Sequence, residues 1–202
     1  MTRAEILSLP SLALLALAIG SVVHAAPAPA ASFKSGVFEP PRDAPDFELD
    51  GSDGAPLKLS RFRGKVVALA FGFTYCQRVC PVTLANLARV STELGADARD
   101  LQVVFVTVDP ARDTPARLKQ YLAFFNPSFV GGSGTPARLE AVRKLYGITT
   151  KREQSENKRL GYGIHHSSSI FLIDRAGKQR LLVPFGKPAA DILHDVELLL
   201  KE

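Results

Sequence analysis

Cys76 and Cys80 are the only two thiols in the chain, set three residues apart in Thr74-Tyr75-Cys76-Gln77-Arg78-Val79-Cys80-Pro81. A sulfur near the amino end of a helix feels the positive end of the peptide dipoles, which favours thiolate over thiol. Arg78, between the two, is expected to push the same way. Two thiolates on a loop leading into a helix can face a common centre. Such a pair makes a soft, low-coordinate site that selects Cu(I) among the available metals, and a third ligand would let it hold Cu(II) as well. The same pair could act in thiol–disulfide exchange, which needs a thiolate beside a resolving thiol. A structural disulfide is the weaker reading, because closing so small a loop constrains the unfolded chain little.

A third ligand must come from elsewhere, and the chain offers His24, His165, His166 and His194. His24 lies in the apolar amino-terminal segment. His194 belongs to the last helical stretch, where a solvated position is expected. His165 and His166 sit in Gly161-Tyr162-Gly163-Ile164-His165-His166-Ser167-Ser168, just before an apolar strand at Ile170. Adjacent residues on extended backbone point in opposite directions, so one of these two imidazoles, not both, is expected to reach the sulfurs. A structural zinc site wants four protein ligands. Two thiols and one imidazole fall short of that and fit copper.

The elements that must bring these groups together follow from hydrophobic period and turn chemistry. Val66 to Phe73 is almost continuously apolar, as is Leu101 to Val108; both read as strands covered on two faces. Leu84, Leu87, Val90 and Leu94 mark a helix directly after the cysteines. Thr114-Pro115 and Thr135-Pro136 are cap-and-first-turn signals for two further helices, the second around Ala137 and stopped by Gly147. Phe47 to Leu49 and Leu57 to Leu59 flank turn residues and predict a short hairpin. Ile170 to Ile173 and Gln179 to Val183 predict another across Ala176-Gly177, before a closing helix marked by Ile192, Val196, Leu199 and Leu200. This order is α/β with a mixed sheet, thioredoxin-like in pattern with an added amino-terminal hairpin. Cys76 and Cys80 follow the carboxyl end of the first long strand, where open α/β sheets place their sites.

Apolar content of 46% and charged content of 22% are globular values and exclude wholesale disorder. The net charge of +5 is spread along the chain, and the densest stretch, Lys151, Arg152, Lys158 and Arg159, is broken by Glu153 and Glu156. It reads as a solvated loop, and with no aromatic-rich basic surface no nucleic-acid partner is expected. Arg3 precedes an apolar run from Leu12 to Ile19, closed by Val23-His24-Ala25-Ala26. This reads as an export signal cleaved after Ala25, or as a retained membrane anchor over residues 1–25. Export implies the periplasm, with the protein soluble or tethered to the inner membrane. Residues 26–42, rich in Ala and Pro, read as an unordered tether running to about Pro45, and residues 43–202 as a single domain.

The pieces Phe73-Thr74-Tyr75-Cys76 through Cys80-Pro81, Val106-Thr107-Val108-Asp109-Pro110-Ala111-Arg112-Asp113-Thr114-Pro115, and Tyr162 through His166-Ser167 together resemble the Sco/SenC family of copper-binding proteins that help assemble the copper centre of cytochrome c oxidase. The resemblance covers the chain from Pro45 onward. It implies a thioredoxin-like fold in which Cys76, Cys80 and His166 hold copper, as Cu(I), Cu(II) or both. The implied role is that of a metallochaperone whose partner is the copper-containing oxidase subunit or another copper-accepting protein. Asp109 and Asp113 fall in the family's Asp-Pro motif, as turn and cap residues or as supports of the site. The chain departs from the family in having Gln77 where Pro is usual and His165 where Asp is usual.

Two enzymatic alternatives remain. The first is an extracytoplasmic thiol–disulfide reductase using Cys76 and Cys80 as redox-active residues on a partner's cysteines. The usual motif of that class has two residues between its thiols and a proline before the later strand, and this chain has neither. The second is a peroxidase of the peroxiredoxin type, whose active loop needs Thr three before and Pro seven before the reactive cysteine; Phe73 and Leu69 stand there.

Overall fold

The computed structural model describes residues 32–154 and 161–202. The export segment expected over residues 1–25, with His24, lies outside the described residues, as do residues 26–31 and Lys158 and Arg159 of the basic stretch. Among the described residues the strands are β1 (Gly36–Asp43), β2 (Glu48–Gly51), β3 (Pro56–Lys58), β4 (Val66–Gly72), β5 (Leu101–Thr107), β6 (Val130–Ser133), β7 (Thr150–Gln154), β8 (Tyr162–His166), β9 (Ile170–Ile173) and β10 (Lys178–Val183). The helices are α1 (Val79–Glu93), α2 (Pro115–Ala123), α3 (Pro136–Leu145) and α4 (Ala189–Lys201). None of the described helices is long and apolar enough to cross a membrane.

Eight strands form one mixed sheet in the order β1-β10-β9-β4-β5-β6-β2-β3. β4 and β5 lie at its centre, parallel and in register from Val66 opposite Leu101 to Gly72 opposite Thr107. Every residue of both is buried, as their unbroken apolar runs require. β9 joins the other side of β4 antiparallel. α1 turns Leu84, Leu87 and Val90 inward and packs against α4. Thr114 and Thr135 cap α2 and α3 as expected, each hydroxyl accepting from the backbone N–H three residues on, with Pro in the first turn. Gly147 follows α3 at φ +64°, the left-handed conformation that a helix stop favours glycine for.

Two expectations are corrected, and one strand had no expectation. The tether expected to run to about Pro45 is, over Gly36–Asp43, an edge strand paired antiparallel with β10. Almost all of its residues are exposed, so it leaves no hydrophobic signature, and an edge position tolerates Pro40 and Pro41 because one row of N–H groups needs no partner. β6, Val-Gly-Gly-Ser, has two glycines that mask its strand character; a Cβ on Gly131 would lie 2.8 Å from Leu118 Cβ, so α2 needs the missing side chain. Lys151 and Arg152, expected in a loop, belong to β7, which pairs antiparallel with β8 in a separate two-stranded ribbon.

Candidate metal centre

β4 ends at Gly72, and the chain turns through Phe73, Thr74 and Tyr75, with the Cys76 N–H donating to the Phe73 carbonyl at 3.2 Å. Asp113 shapes this turn. It is 0% exposed, and its carboxylate accepts from Thr74 N (3.0 Å), Thr74 Oγ1 (2.6 Å) and Thr107 Oγ1 (2.7 Å). The ends of β4 and β5 are thereby tied to the entry of α2. Burial pushes the Asp113 carboxyl up, against the pull of those donors.

Cys80 is the second residue of α1, and Cys76 precedes the helix. Both are free thiols, with Cys80 N 3.4 Å from Cys76 Sγ. Cys80 Sγ is buried at 2% exposure directly against the strand end, where a Cβ on Gly72 would lie 2.7 Å from it. Glycine at position 72 is therefore a condition of the sulfur's place. Donation by the Cys80 thiol holds Cys76 well below the usual thiol range, down to about 3. Burial opposes this, and the backbone N–H groups of Cys80 and Arg78 assist. Cys80 is pushed up, first by that same donation and then by burial. The expectation for Arg78 is corrected in kind: its backbone N–H contributes, while its side chain is exposed.

The neighbouring histidines of β8 diverge as alternation demands. His165 faces outward, its side chain 74% exposed and its Nε2 3.1 Å from Glu153 Oε2. His166 faces the sulfurs, with Nε2 3.6 Å from Cys80 Sγ. Its Nδ1 lies 2.8 Å from the Ser167 carbonyl. A carbonyl can only accept, so Nδ1 carries a proton, and in the neutral ring the lone pair is on Nε2, the arrangement usual for a metal-binding imidazole. His194 stands apart on α4, 3.1 Å from the Ser32 carbonyl.

A thiolate and an imidazole lie about 2.3 and 2.0 Å from a first-row ion. Sharing one at tetrahedral to trigonal angles, they stand about 3.5–3.7 Å apart. The Cys80–His166 separation meets this bite. Among the described residues no group of three or more His, Cys, Asp and Glu side chains is already gathered for a metal, although Cys76 already accepts from Cys80. Two thiols and one imidazole leave no fourth protein ligand at hand for a closed zinc site.

The SCO1/SenC family model matches residues 38–201. The chain belongs to the SCO1/SenC family. A SCO2-like protein of Rickettsia conorii is 34% identical over 133 residues, 66% of this chain and 65% of that protein. The mitochondrial SCO2 of Saccharomyces cerevisiae is 36% identical over 135 residues, 65% of this chain and 44% of its own length. The matched region thus spans under two thirds of these curated relatives. Among solved structures, Bradyrhizobium japonicum ScoI with copper bound superposes with a TM-score of 0.70 at 30% identity, covering 78% of this chain and 99% of that one. Apo Sco1 of Thermus thermophilus gives 0.74 at 32%, covering 85% and 99%. The mixed sheet and its helices are the thioredoxin-like Sco fold.

Asp109, Arg112 and Tyr162 lie in the sequence motifs, and nothing in the sequence alone assigns Arg112 or Tyr162 a role. The structure joins all three beside the site. Tyr162 Oη donates to Asp109 Oδ1 at 2.6 Å, and Arg112 bridges the same carboxylate and the Tyr162 carbonyl. An invariant of charge or period could not have signalled this, because the partners lie 50 residues apart in sequence.

Proposed function

We propose that this chain is a copper carrier of the extracytoplasmic space, in which Cys76, Cys80 and His166 hold one copper ion as cargo for delivery to the copper-containing subunit of cytochrome c oxidase or another copper-accepting protein. The observation that carries the reading is the His166 Nε2–Cys80 Sγ distance of 3.6 Å, together with the Nδ1 proton engaged by Ser167. Cys76, whose pKa is held well below the usual thiol range, can supply the charge that a Cu(I) ion needs. Soft sulfur ligands select Cu(I), and the imidazole extends the site to Cu(II). Membership of the family and the copper-bound relative from Bradyrhizobium japonicum support copper as the metal. Export to the periplasm, soluble or held at the inner membrane, rests on the apolar amino-terminal run. The test is metal analysis of the reduced protein with Cu(I): one copper per wild-type chain, and loss in His166→Ala. Copper kept equally by both would refute the trio.

A second reading has its own observation. A low-pKa Cys76 partly open to solvent beside a buried, protonated Cys80 is the division between attacking and resolving thiols that exchange requires. The reductase acts on a partner's disulfide and needs no imidazole ligand. His166→Ala separates the two functions: copper holding falls and dithiol reduction persists.

A further inference from the structure

His166 is carried by the β7–β8 ribbon, whose strands pair with each other and with no strand of the eight-stranded sheet. A lone two-stranded ribbon is marginal in water, so the imidazole's position depends on what clamps the ribbon to the body. Other ties also hold it: Arg143 Nη1 donates to Thr150 Oγ1 at the start of β7 at 2.7 Å, and Ile164, midway along β8, packs against the core. Arg112, in the turn after β5, does something different. Its Nη1 donates to the Tyr162 carbonyl at 3.1 Å, and its guanidinium carbon lies 3.6 Å from the Tyr162 ring centroid. Arg152 of β7 lies 3.5 Å from the same centroid; two guanidiniums that near one ring cannot share a face, so Tyr162 is sandwiched. Asp109 binds both Arg112 Nε and the Tyr162 hydroxyl, closing a ring of contacts between turn and ribbon. Towards the cysteines, the Arg112 guanidinium stands 4.6 Å from the Tyr75 ring and 5.7 Å from the Phe73 ring. Phe73 in turn meets the His166 ring edge-on at 6.0 Å. With side-chain exposures of 15% for Arg112 and 3% for Asp109, the charged pair at the centre of these contacts is largely shielded from water, where charge-assisted bonds are strongest, while Tyr75 at the outer end is 39% exposed.

We propose that Arg112 is a positioning residue for the candidate metal centre: stacked between Tyr162 of the ribbon and Tyr75 of the cysteine turn, it sets how far His166 Nε2 stands from Cys80 Sγ. Its effect on copper rests on the copper reading above; its effect on the imidazole does not. Arg112→Lys keeps the charge and loses the planar fork and the ring stacking.

The first measurement is nitrogen NMR of the histidine rings in the metal-free protein. In wild type the His166 ring should show a fixed Nδ1–H form. In Arg112→Lys its signals should move or broaden while those of His194 stay in place. Unchanged His166 signals overturn the proposal. The second is copper affinity by chelator competition across wild type, Arg112→Lys, His166→Ala and the double variant. Arg112→Lys should cost about 10-fold or more, the scale seen for residues that orient metal ligands, and under about 2-fold once the imidazole is gone. Equal losses in both backgrounds would mean a general effect on the fold and overturn the proposal. If wild type takes up no copper, or His166→Ala changes nothing, the copper reading fails and the NMR result alone decides. Should Arg112→Lys not fold, Arg112→Gln, which also loses the guanidinium stacking on the Tyr162 and Tyr75 rings, is judged by the same two outcomes.

Discussion

Adding one methyl group at Gly72 should loosen the metal centre more than it loosens the protein. A Cβ there would lie 2.7 Å from Cys80 Sγ and 2.6 and 2.8 Å from two atoms of the Phe105 ring. Ordinary carbon contacts are about 3.5–4.0 Å, so each must open by about 1 Å. Phe105 is 1% exposed in the core of β5 and has nowhere to go without strain; overpacking of this kind costs about 1–3 kcal/mol. For a domain of this size that lowers the melting temperature by roughly 4–8 °C at mid-range. Cys80 Sγ, at the end of a short side chain on the first turn of α1, takes up much of the remaining displacement and leaves the 3.6 Å bite with His166. Copper affinity of Gly72→Ala should then fall about 10-fold or more. The assay pairs urea unfolding of the metal-free protein with Cu(I) competition against a chelator. Gly131→Ala is the control: its Cβ would meet Leu118 Cβ at 2.8 Å between β6 and α2, away from the sulfurs, so it should lose comparable stability at unchanged copper affinity. A Gly72→Ala protein that loses stability as Gly131→Ala does, yet holds copper as wild type does, would refute the reasoning.

The depressed Cys76 thiol predicts that iodoacetamide labelling of the reduced, metal-free protein runs at a nearly constant rate from about pH 5 to 8, whereas an ordinary thiol slows about tenfold per unit below its pKa of about 8.5. Mass spectrometry should find the label on Cys76 and spare buried Cys80; a rate that falls steeply with acid would contradict the assignment. Asp113→Ala leaves Thr74 N and two hydroxyls without their acceptor, which should cost about 2–4 kcal/mol in urea unfolding. Asp113→Asn should lose less than half of that, because the hydroxyls can turn to accept while the Asn oxygen keeps the Thr74 N–H. His165→Ala removes an exposed contact with Glu153 and should change stability by less than about 1 kcal/mol. It should also leave copper stoichiometry intact; loss of copper in this variant would move the ligand from His166 to its neighbour.

The parts of this molecule legible in the sequence are those that local physics writes strongly. β4 and β5 are buried on both faces and so are apolar throughout, and the Thr-Pro pairs at 114 and 135 cap helices through their own neighbours. The thiols announce themselves by type and spacing, and their place at the end of β4 follows from fold class. What was hidden depends on long-range pairing. β1 is ordered by main-chain bonds to β10 with scarcely any side-chain burial, so the Pro-rich composition suggested a tether. β7 is polar on nearly every residue because its partner is only β8. The residues' alternation predicted that one of His165 and His166 would turn inward, and family likeness, not spacing, indicated which. The Arg112 stack could not be anticipated: arginine and tyrosine are unremarkable on any exposed turn, and only the tertiary fold brings Tyr75, Arg112 and Tyr162 into a column.

The centre is assembled from two pieces of unequal firmness. Its sulfurs stand at the lip of the most deeply anchored strand pair, whereas its nitrogen hangs from a two-strand flap fastened by side chains. Regions held by few backbone ties open at a fraction of the free energy needed to melt the whole domain. Were copper held there as proposed, its grip would depend on the ribbon and the protein's durability on the sheet, so the two would be tuned by separate residues.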